Sequence, residues 1–209
     1  ELADAVQMDA INKYSKLNQP VAPTLWLEFH GTEASVAEQA EMVQALAAEH
    51  GGANFSWTTS PEERKKLWQA RHDAAWANKA LRVGAQVWAT DVCVPISRLA
   101  ECIVETQKDI EQSFLPAPVV GHVGDGNFHL TLVLKPEDPK EVAEAERLND
   151  RLVKRALAME GTCTGEHGVG YGKMAFLQAE HGDAVSLMRS IKMALDPDNI
   201  MNPGKVVSV

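Results

Sequence analysis

The stretch Gly121-His122-Val123-Gly124-Asp125-Gly126-Asn127-Phe128-His129 lies between two apolar segments, 118–120 and 130–134, that contain several β-branched residues. An Asp-Gly pair between two such segments is typical of a β-hairpin, because a type I′ turn needs positive φ at both central residues. With Asp125 and Gly126 as the turn, His122 would lie directly opposite His129, at a Cβ separation of about 4.5–5.5 Å. Two imidazoles this close can bind one cation, so the stretch predicts half of a metal site.

The composition is typical of a globular domain. The 209 residues are 45% hydrophobic and 23% charged, and a chain of this length can bury a core of its own. A formal net charge of −9 and a pI near 5.3 argue against nucleic acid or an anionic membrane surface as the main partner. No apolar run approaches the ~20 residues of a transmembrane helix.

Three cysteines, Cys93, Cys102 and Cys163, are odd in number and lack CxxC spacing. This pattern is typical of free thiols in a reducing compartment. We therefore expect a cytoplasmic location, with membrane association or, in a eukaryote, a mitochondrial location as alternatives. The chain begins with Glu1 rather than Met and carries no signal-peptide pattern, which suggests a segment of a longer protein.

Hydrophobic periodicity, caps and breakers predict interleaved strands and helices. Beside the hairpin, strands are expected at 25–30, 54–58 and 85–94, and helices at 2–17, 35–50, 61–81, 97–112 and 139–160, followed by two short helices. Because the hairpin requires an antiparallel pair, we expect an α+β fold rather than a doubly wound parallel sheet. Its antiparallel sheet would carry helices on one face, as in a ferredoxin-like cap, with 18–160 as the core of a single domain and 161–209 as a glycine-rich loop and helical tail.

The glycine-rich segment Thr162–Gly170 is the expected source of a third metal ligand. Glu166 would supply the carboxylate of a His₂-carboxylate site that leaves positions open for water or substrate. His167 would then be free to act as a general base near neutral pH. The alternative is that His122 and His129 form a cross-strand packing pair and the loop is merely flexible.

Arg71 falls within a row of apolar and small residues on the predicted helix 61–81. A partly desolvated guanidinium needs an acidic partner, which is either a protein carboxylate or the carboxylate of a substrate. The residues alone leave both readings open.

Three separated motifs resemble the C-terminal part of FAD-linked 2-hydroxyacid dehydrogenases of the vanillyl-alcohol-oxidase type. They are Gly121–His129, Thr162–Gly170 and the ending Leu195-Asp196-Pro197…Asn202-Pro203-Gly204-Lys205. Within that family, the segment Ala80–Leu99 looks most like the branch of cytochrome-type D-lactate dehydrogenases, with the FAD subunit of glycolate oxidase also similar.

The resemblance implies a role for each candidate residue. His122, His129 and Glu166 would bind zinc or manganese, His167 would accept the substrate hydroxyl proton, and Arg71 would bind the substrate carboxylate. Asn202 in the tail would approach the flavin. Ala89 replaces a lysine of the hydroxyglutarate branch, which favours D-lactate or glycolate over a dicarboxylic substrate.

The resemblance also implies parts that lie outside this chain. FAD would be bound mostly by an N-terminal domain, so the chain alone is expected to be inactive. Electrons would pass to a quinone, a cytochrome or an electron-transfer protein, and a homodimer is compatible with the pattern. Two other functional classes remain open: a non-redox metal-dependent hydrolase or metal-binding module that uses the same His₂-Glu set, and an interaction domain without a site.

Overall fold

The chain forms six strands and eight helices in a computed structural model that describes all of residues 1–209. The strands are β1 Leu2–Ala3, β2 Thr24–Leu25, β3 Gln86–Ala89, β4 Val92–Cys93, β5 Val119–Gly121 and β6 Asn127–Leu134. The helices are α1 Ala5–Ser15, α2 Glu33–Glu49, α3 Pro61–His72, α4 Ala74–Ala80, α5 Ile96–Glu111, α6 Pro139–Ala158, α7 Met174–His181 and α8 Ala184–Leu195.

Strand β6 is the centre of a sheet with the order β2-β1-β5-β6-β3, and β4 also pairs with β6. Every pairing is antiparallel, which confirms the predicted α+β class and antiparallel sheet. Because β1 lies between β2 and β5, the sheet includes residues that precede the predicted core range of 18–160.

The two faces of β6 meet different helices. Its even-numbered side chains, from Phe128 to Leu134, are buried in the main core with Leu148 and Leu152 of α6 and Leu99 of α5. Helices α5 and α6 cover this face as predicted, but they are not the only helices on the sheet. On the opposite face, Ala3 of β1 belongs to a second cluster formed with α1, α3 and α4. The pairings of β1, β5 and β6 put His129 on this second face.

Two predicted strands and two predicted helices differ in the structure. The helix expected at 2–17 is the shorter α1, because Leu2 and Ala3 pair with β2 and β5 as strand β1. The strand expected at 25–30 is the two-residue β2, and residues 54–58 form no strand, because no neighbouring strand pairs with either segment beyond those two residues. The helix expected at 61–81 is divided into α3 and α4 at Asp73, whose carboxylate accepts a hydrogen bond from Ser15 of α1.

The hairpin exists, but the predicted two-residue turn and its register are wrong. Val120 pairs with His129, so five residues, 122–126, connect β5 to β6, and His122 is not opposite His129. The reason is that only Gly126 of the Asp-Gly pair has positive φ, at 81°, whereas a type I′ turn needs two such residues. Instead, the Gly126 carbonyl accepts a hydrogen bond of 3.0 Å from the Val94 amide just after β4.

The geometry of this connection predicts opposite outcomes for its two glycines. Gly126→Ala places a side chain at positive φ and against the Val94 carbonyl oxygen, so we expect it to lower the free energy of unfolding by at least about 1–2 kcal/mol. Gly124→Ala meets no atom within 4 Å and is the matched control. Urea unfolding of both variants checks this, and equal midpoints would contradict the observed turn.

Candidate metal and substrate site

Three of the predicted site residues converge at one end of the sheet. The ligand atoms of His122, His129 and Glu166 all lie within 4.8 Å of one another. Glu166 Oε1 is 2.9 Å from Nε2 of His129 and 3.4 Å from Nε2 of His122. Atoms bound to one cation at about 2.1 Å are themselves about 3–3.4 Å apart, so this spacing fits a shared metal ion. Two imidazoles and a carboxylate are also a donor set that zinc and manganese accept.

His129 is held by an interruption in the neighbouring strand. The predicted strand 85–94 is present as β3 and β4 in one continuous register, broken at Thr90 and Asp91. At the break, Thr90 Oγ1 accepts a hydrogen bond from the Leu130 amide, and the Thr90 carbonyl accepts one of 2.8 Å from His129 Nδ1. With the proton on Nδ1, the Nε2 lone pair faces Glu166 and is free to bind a cation.

Burial also favours the neutral form of the His129 imidazole. Its side chain is only 8% exposed, and this desolvation lowers the pKa of His129 from its ordinary value. The imidazole is therefore neutral near pH 7. A neutral Nε2 and a carboxylate oxygen are both acceptors, so their close approach is favourable only with a cation or a proton between them.

Asp91, which sequence reasoning did not assign to the site, anchors the loop that carries Glu166. Its carboxylate accepts backbone hydrogen bonds of 2.9–3.0 Å from three successive amides and further bonds from three side chains. These donors are the amides of Gly165, Glu166 and His167 and the side chains of Thr164, Asn127 and Lys173. Burial alone would raise the pKa of Asp91, but these hydrogen bonds and the Lys173 charge outweigh it and hold the pKa well below its usual range.

The glycine content of the loop follows from how closely it approaches the sheet. A Cβ on Gly165 would overlap the side-chain amide of Asn127 and lie 2.8 Å from Asp91 Oδ1. At the start of the loop, Thr162 pairs with Cys93 through two backbone hydrogen bonds. The loop is therefore attached to β4 at one end and to Asp91 in the middle.

His167 lies beside the cluster on its open side. Its Nε2 is 3.3 Å from Glu166 Oε1, and its ring centroid is 5.0 Å from that of His129. The side chain is 57% exposed, so a ligand can reach it from solvent. An open cavity of about 300 Å³ lies next to the cluster and is lined by Cys93, His122, Asp125, Asn127, Gly165 and Glu166.

Arg71 is linked to the cluster through Glu1, a second residue that sequence reasoning missed. Arg71 Nε donates a hydrogen bond of 3.0 Å to Glu1 Oε2, and Glu1 Oε1 is 2.7 Å from His122 Nδ1. The terminal nitrogens of Arg71 have no hydrogen-bond partner in the protein. Arg71 thus has a protein carboxylate as partner and still presents free donors to a ligand.

Asn202 lies apart from these residues. It follows α8 in the C-terminal tail, where its side chain accepts a hydrogen bond from Lys205. The tail contacts the far end of the glycine-rich loop through the Val206 amide and the Gly170 carbonyl, 2.9 Å apart. The structure does not bring Asn202 to the cluster, and its approach to a flavin stays a prediction.

Residues 1–206 match the family described as FAD linked oxidases, C-terminal domain. The chain belongs to this family. The resemblance inferred from the three motifs is thereby confirmed. None of the eight helices of this FAD-linked oxidase domain combines the length and apolar character that a membrane crossing requires.

Relatives of this FAD-linked oxidase domain include two proteins whose names are those of D-lactate dehydrogenases. The probable mitochondrial D-lactate dehydrogenase of Danio rerio is 49% identical over 210 residues, which cover 100% of this chain and 42% of that protein. The mitochondrial D-lactate dehydrogenase (cytochrome) of Arabidopsis thaliana is 48% identical over 99% of this chain and 37% of its own length. The chain therefore spans less than half the length of these relatives.

A solved structure shares the fold of this FAD-linked oxidase domain. The crystal structure of p-cresol methylhydroxylase with substrate bound matches 99% of this chain and 46% of that chain with a TM-score of 0.64. At 14% sequence identity, this similarity concerns the fold alone.

Asp91 is predicted to be the main determinant of loop stability. Asp91→Ala removes the acceptor of several buried donors and leaves the Lys173 charge without its carboxylate, so the free energy of unfolding should fall by about 3–5 kcal/mol. Asp150→Ala, which removes a surface carboxylate paired with Lys154, should change it by less than about 0.5 kcal/mol. Urea denaturation measures both, and similar values for the two variants would contradict the anchoring role.

The same carboxylate predicts a dependence of stability on pH. The pKa of Asp91 is lower in the folded chain than its ordinary value of 3.8, so the unfolded state binds the proton more tightly. The stabilisation is therefore complete above about pH 5 and is lost as the pH falls below about 4. In Asp91→Asn, unfolding free energy should fall less steeply over this acidic range, and an unchanged slope would contradict this assignment.

Proposed function

We propose that the chain is the substrate domain of an FAD-dependent dehydrogenase that oxidises a D-2-hydroxy acid to the 2-oxo acid, with D-lactate favoured and glycolate as the alternative. The observation that carries the proposal is the cluster of His122, His129 and Glu166 in a domain of the FAD-linked oxidase family. Arg71 is joined to this cluster through Glu1. The relatives named as D-lactate dehydrogenases support the choice of substrate. Their names also support a mitochondrial location if the source is eukaryotic.

The three clustered residues would hold a divalent metal, zinc or manganese. When bound, such an ion supplies Lewis acidity toward the hydroxyl and carboxylate oxygens of the substrate. The protein prepares the site by directing Nε2 of both histidines toward Glu166. It also keeps His129 neutral through burial.

Arg71 and His167 would act on opposite parts of the substrate. The free terminal nitrogens of Arg71 would donate to the substrate carboxylate and fix its orientation. His167, on the exposed side of the cluster, would take the hydroxyl proton at a ring nitrogen. The hydride of C2 would go to the flavin, which carries the redox chemistry.

The remaining parts of the reaction lie outside this chain. FAD would be held mostly by an N-terminal domain of the intact protein, with Asn202 of the tail approaching it. When bound, FAD would supply the redox chemistry, and the electron acceptor would be a quinone, a cytochrome or an electron-transfer protein. Ala89, at the end of β3, offers no cation for a second carboxylate, which supports a monocarboxylic substrate.

The non-redox hydrolase considered from the sequence alone is disfavoured by membership in a family of FAD linked oxidases. The yellow absorbance of a bound flavin in the full-length protein, bleached by D-lactate, distinguishes the two. A colourless protein that hydrolyses esters or amides would contradict the proposal.

Metal binding is tested by removing its ligands. In the full-length protein, His122→Ala and Glu166→Ala should each weaken metal binding by more than roughly 10–100-fold, the usual loss when a residue that only hydrogen-bonds to a ligand is removed. D-lactate turnover should fall with it. His30→Ala removes an exposed histidine outside the cluster and is the control. Metal content and D-lactate turnover are measured on the same preparations. Full metal content and an unchanged rate in both variants would refute the ligand assignment.

Steady-state kinetics separate the two catalytic candidates. His167→Asn should lower kcat for D-lactate by about 10²–10⁴-fold, the usual loss of a general base. Arg71→Ala should raise KM by about 10–100-fold, because a charge-assisted contact to the substrate is lost. Arg64→Ala, an exposed arginine on the same helix α3, should keep both constants. Unchanged constants for Arg71→Ala would limit Arg71 to its structural pair with Glu1.

A further inference from the structure

We propose that Glu1 is a positioning residue that sets the orientation of both His122 and Arg71. The inference rests on the proposed function, since it assigns to one carboxylate the task of aligning a metal ligand with a substrate-binding residue. The two oxygens of Glu1 serve different partners, with Oε1 at 2.7 Å from His122 Nδ1 and Oε2 at 3.0 Å from Arg71 Nε.

The backbone of Glu1 is held by the sheet. Leu2 pairs with Gly121, so the next pair along β1 and β5 brings Glu1 opposite His122. On its other side, the Glu1 carbonyl accepts a hydrogen bond of 3.0 Å from the Trp26 amide. Glu1 directly precedes the paired strand β1, and a side chain beside a regular element is placed more accurately than one within a loop. Glu1 therefore supplies a fixed reference for the loop residue His122.

For His122, the carboxylate selects the ring nitrogen that can bind metal. A negative charge 2.7 Å from Nδ1 favours the proton on that atom, which leaves the Nε2 lone pair facing Glu166. The Thr90 carbonyl has the equivalent role for His129. Both histidines of the cluster are thus oriented through Nδ1, one by a backbone carbonyl and one by Glu1.

For Arg71, the single contact fixes the guanidinium and leaves its outer edge available. Glu1 engages only Nε, and both side chains are largely buried, at 19% exposed for Arg71 and 15% for Glu1. The planar guanidinium cannot turn without breaking this contact. Its terminal nitrogens are consequently held in one direction relative to His122. The donors for a substrate carboxylate therefore lie at a fixed distance from the cluster.

A purely structural ion pair between Glu1 and Arg71 makes a different prediction. It would affect the free energy of unfolding but not the affinity for metal, because His122 would orient itself equally well without Glu1. Metal affinity, measured apart from turnover, therefore distinguishes a positioning role from a structural one.

The test is Glu1→Gln in the full-length protein. If the glutamine oxygen stays on the Arg71 cation, its NH₂ group faces His122 Nδ1 and favours the tautomer whose Nε2 carries the proton and cannot bind metal. We expect the dissociation constant for Mn²⁺ or Zn²⁺, measured by chelator competition, to rise about 10–100-fold and KM for D-lactate to rise with it. Glu28→Gln, an exposed glutamate that contacts Arg64 and His30, should leave both unchanged.

Glu1→Asp is the second variant and guards against a folding defect. It keeps the charge but is one methylene shorter, so it cannot reach both partners, and it should weaken metal binding while the thermal unfolding midpoint stays close to that of wild type. Wild-type metal affinity in both folded variants would overturn the proposal for Glu1 and leave the proposed function intact. A wild-type protein that neither binds metal nor oxidises D-lactate would instead refute the proposed function itself.

Discussion

The site depends on one buried carboxylate, that of Asp91, which accepts hydrogen bonds from three successive amides of the glycine-rich loop. Converging backbone N–H groups on an anion form a strong, charge-assisted arrangement in a desolvated place. It holds the irregular loop at a fixed distance from β6. This interaction offsets the conformational entropy that the loop backbone loses when it is ordered. Without it, Glu166 would not be kept 2.9 Å from His129.

The other groups of the site are placed by separate elements. His129 comes from the rigid central strand, His122 from the connection that follows β5, and Arg71 from helix α3 on the same side of the sheet. Each histidine has a partner at Nδ1 and turns Nε2 to the common centre. The arrangement suits a chemistry in which a cation, a cationic side chain and a base act on neighbouring atoms of one small molecule.

Local sequence patterns predicted the parts of this site whose causes are local. The hairpin followed from Asp125-Gly126, and the glycines around Glu166 indicated a loop in close contact with the sheet. The predicted register is wrong for two reasons. Asp125 does not adopt positive φ, and the Gly126 carbonyl accepts a hydrogen bond from the Val94 amide, a contact that no local pattern reveals.

The missed residues depend on long-range contacts. Asp91 is 74–76 residues from the amides it binds, and its one sequence signal is the polar pair Thr90-Asp91 inside an otherwise apolar strand pattern. Glu1 meets His122 only through the register of β1 and β5, 121 residues apart in the chain, and has no local signal.

We propose that His122, His129 and Glu166 would together hold one divalent ion. Anomalous diffraction at the metal edge from crystals of the full-length protein grown with Mn²⁺ or Zn²⁺ tests it most directly. We expect one peak at about 2.0–2.2 Å from Nε2 of both histidines and from the Glu166 carboxylate. A catalytically active protein whose crystals show no peak between these three side chains would contradict the account.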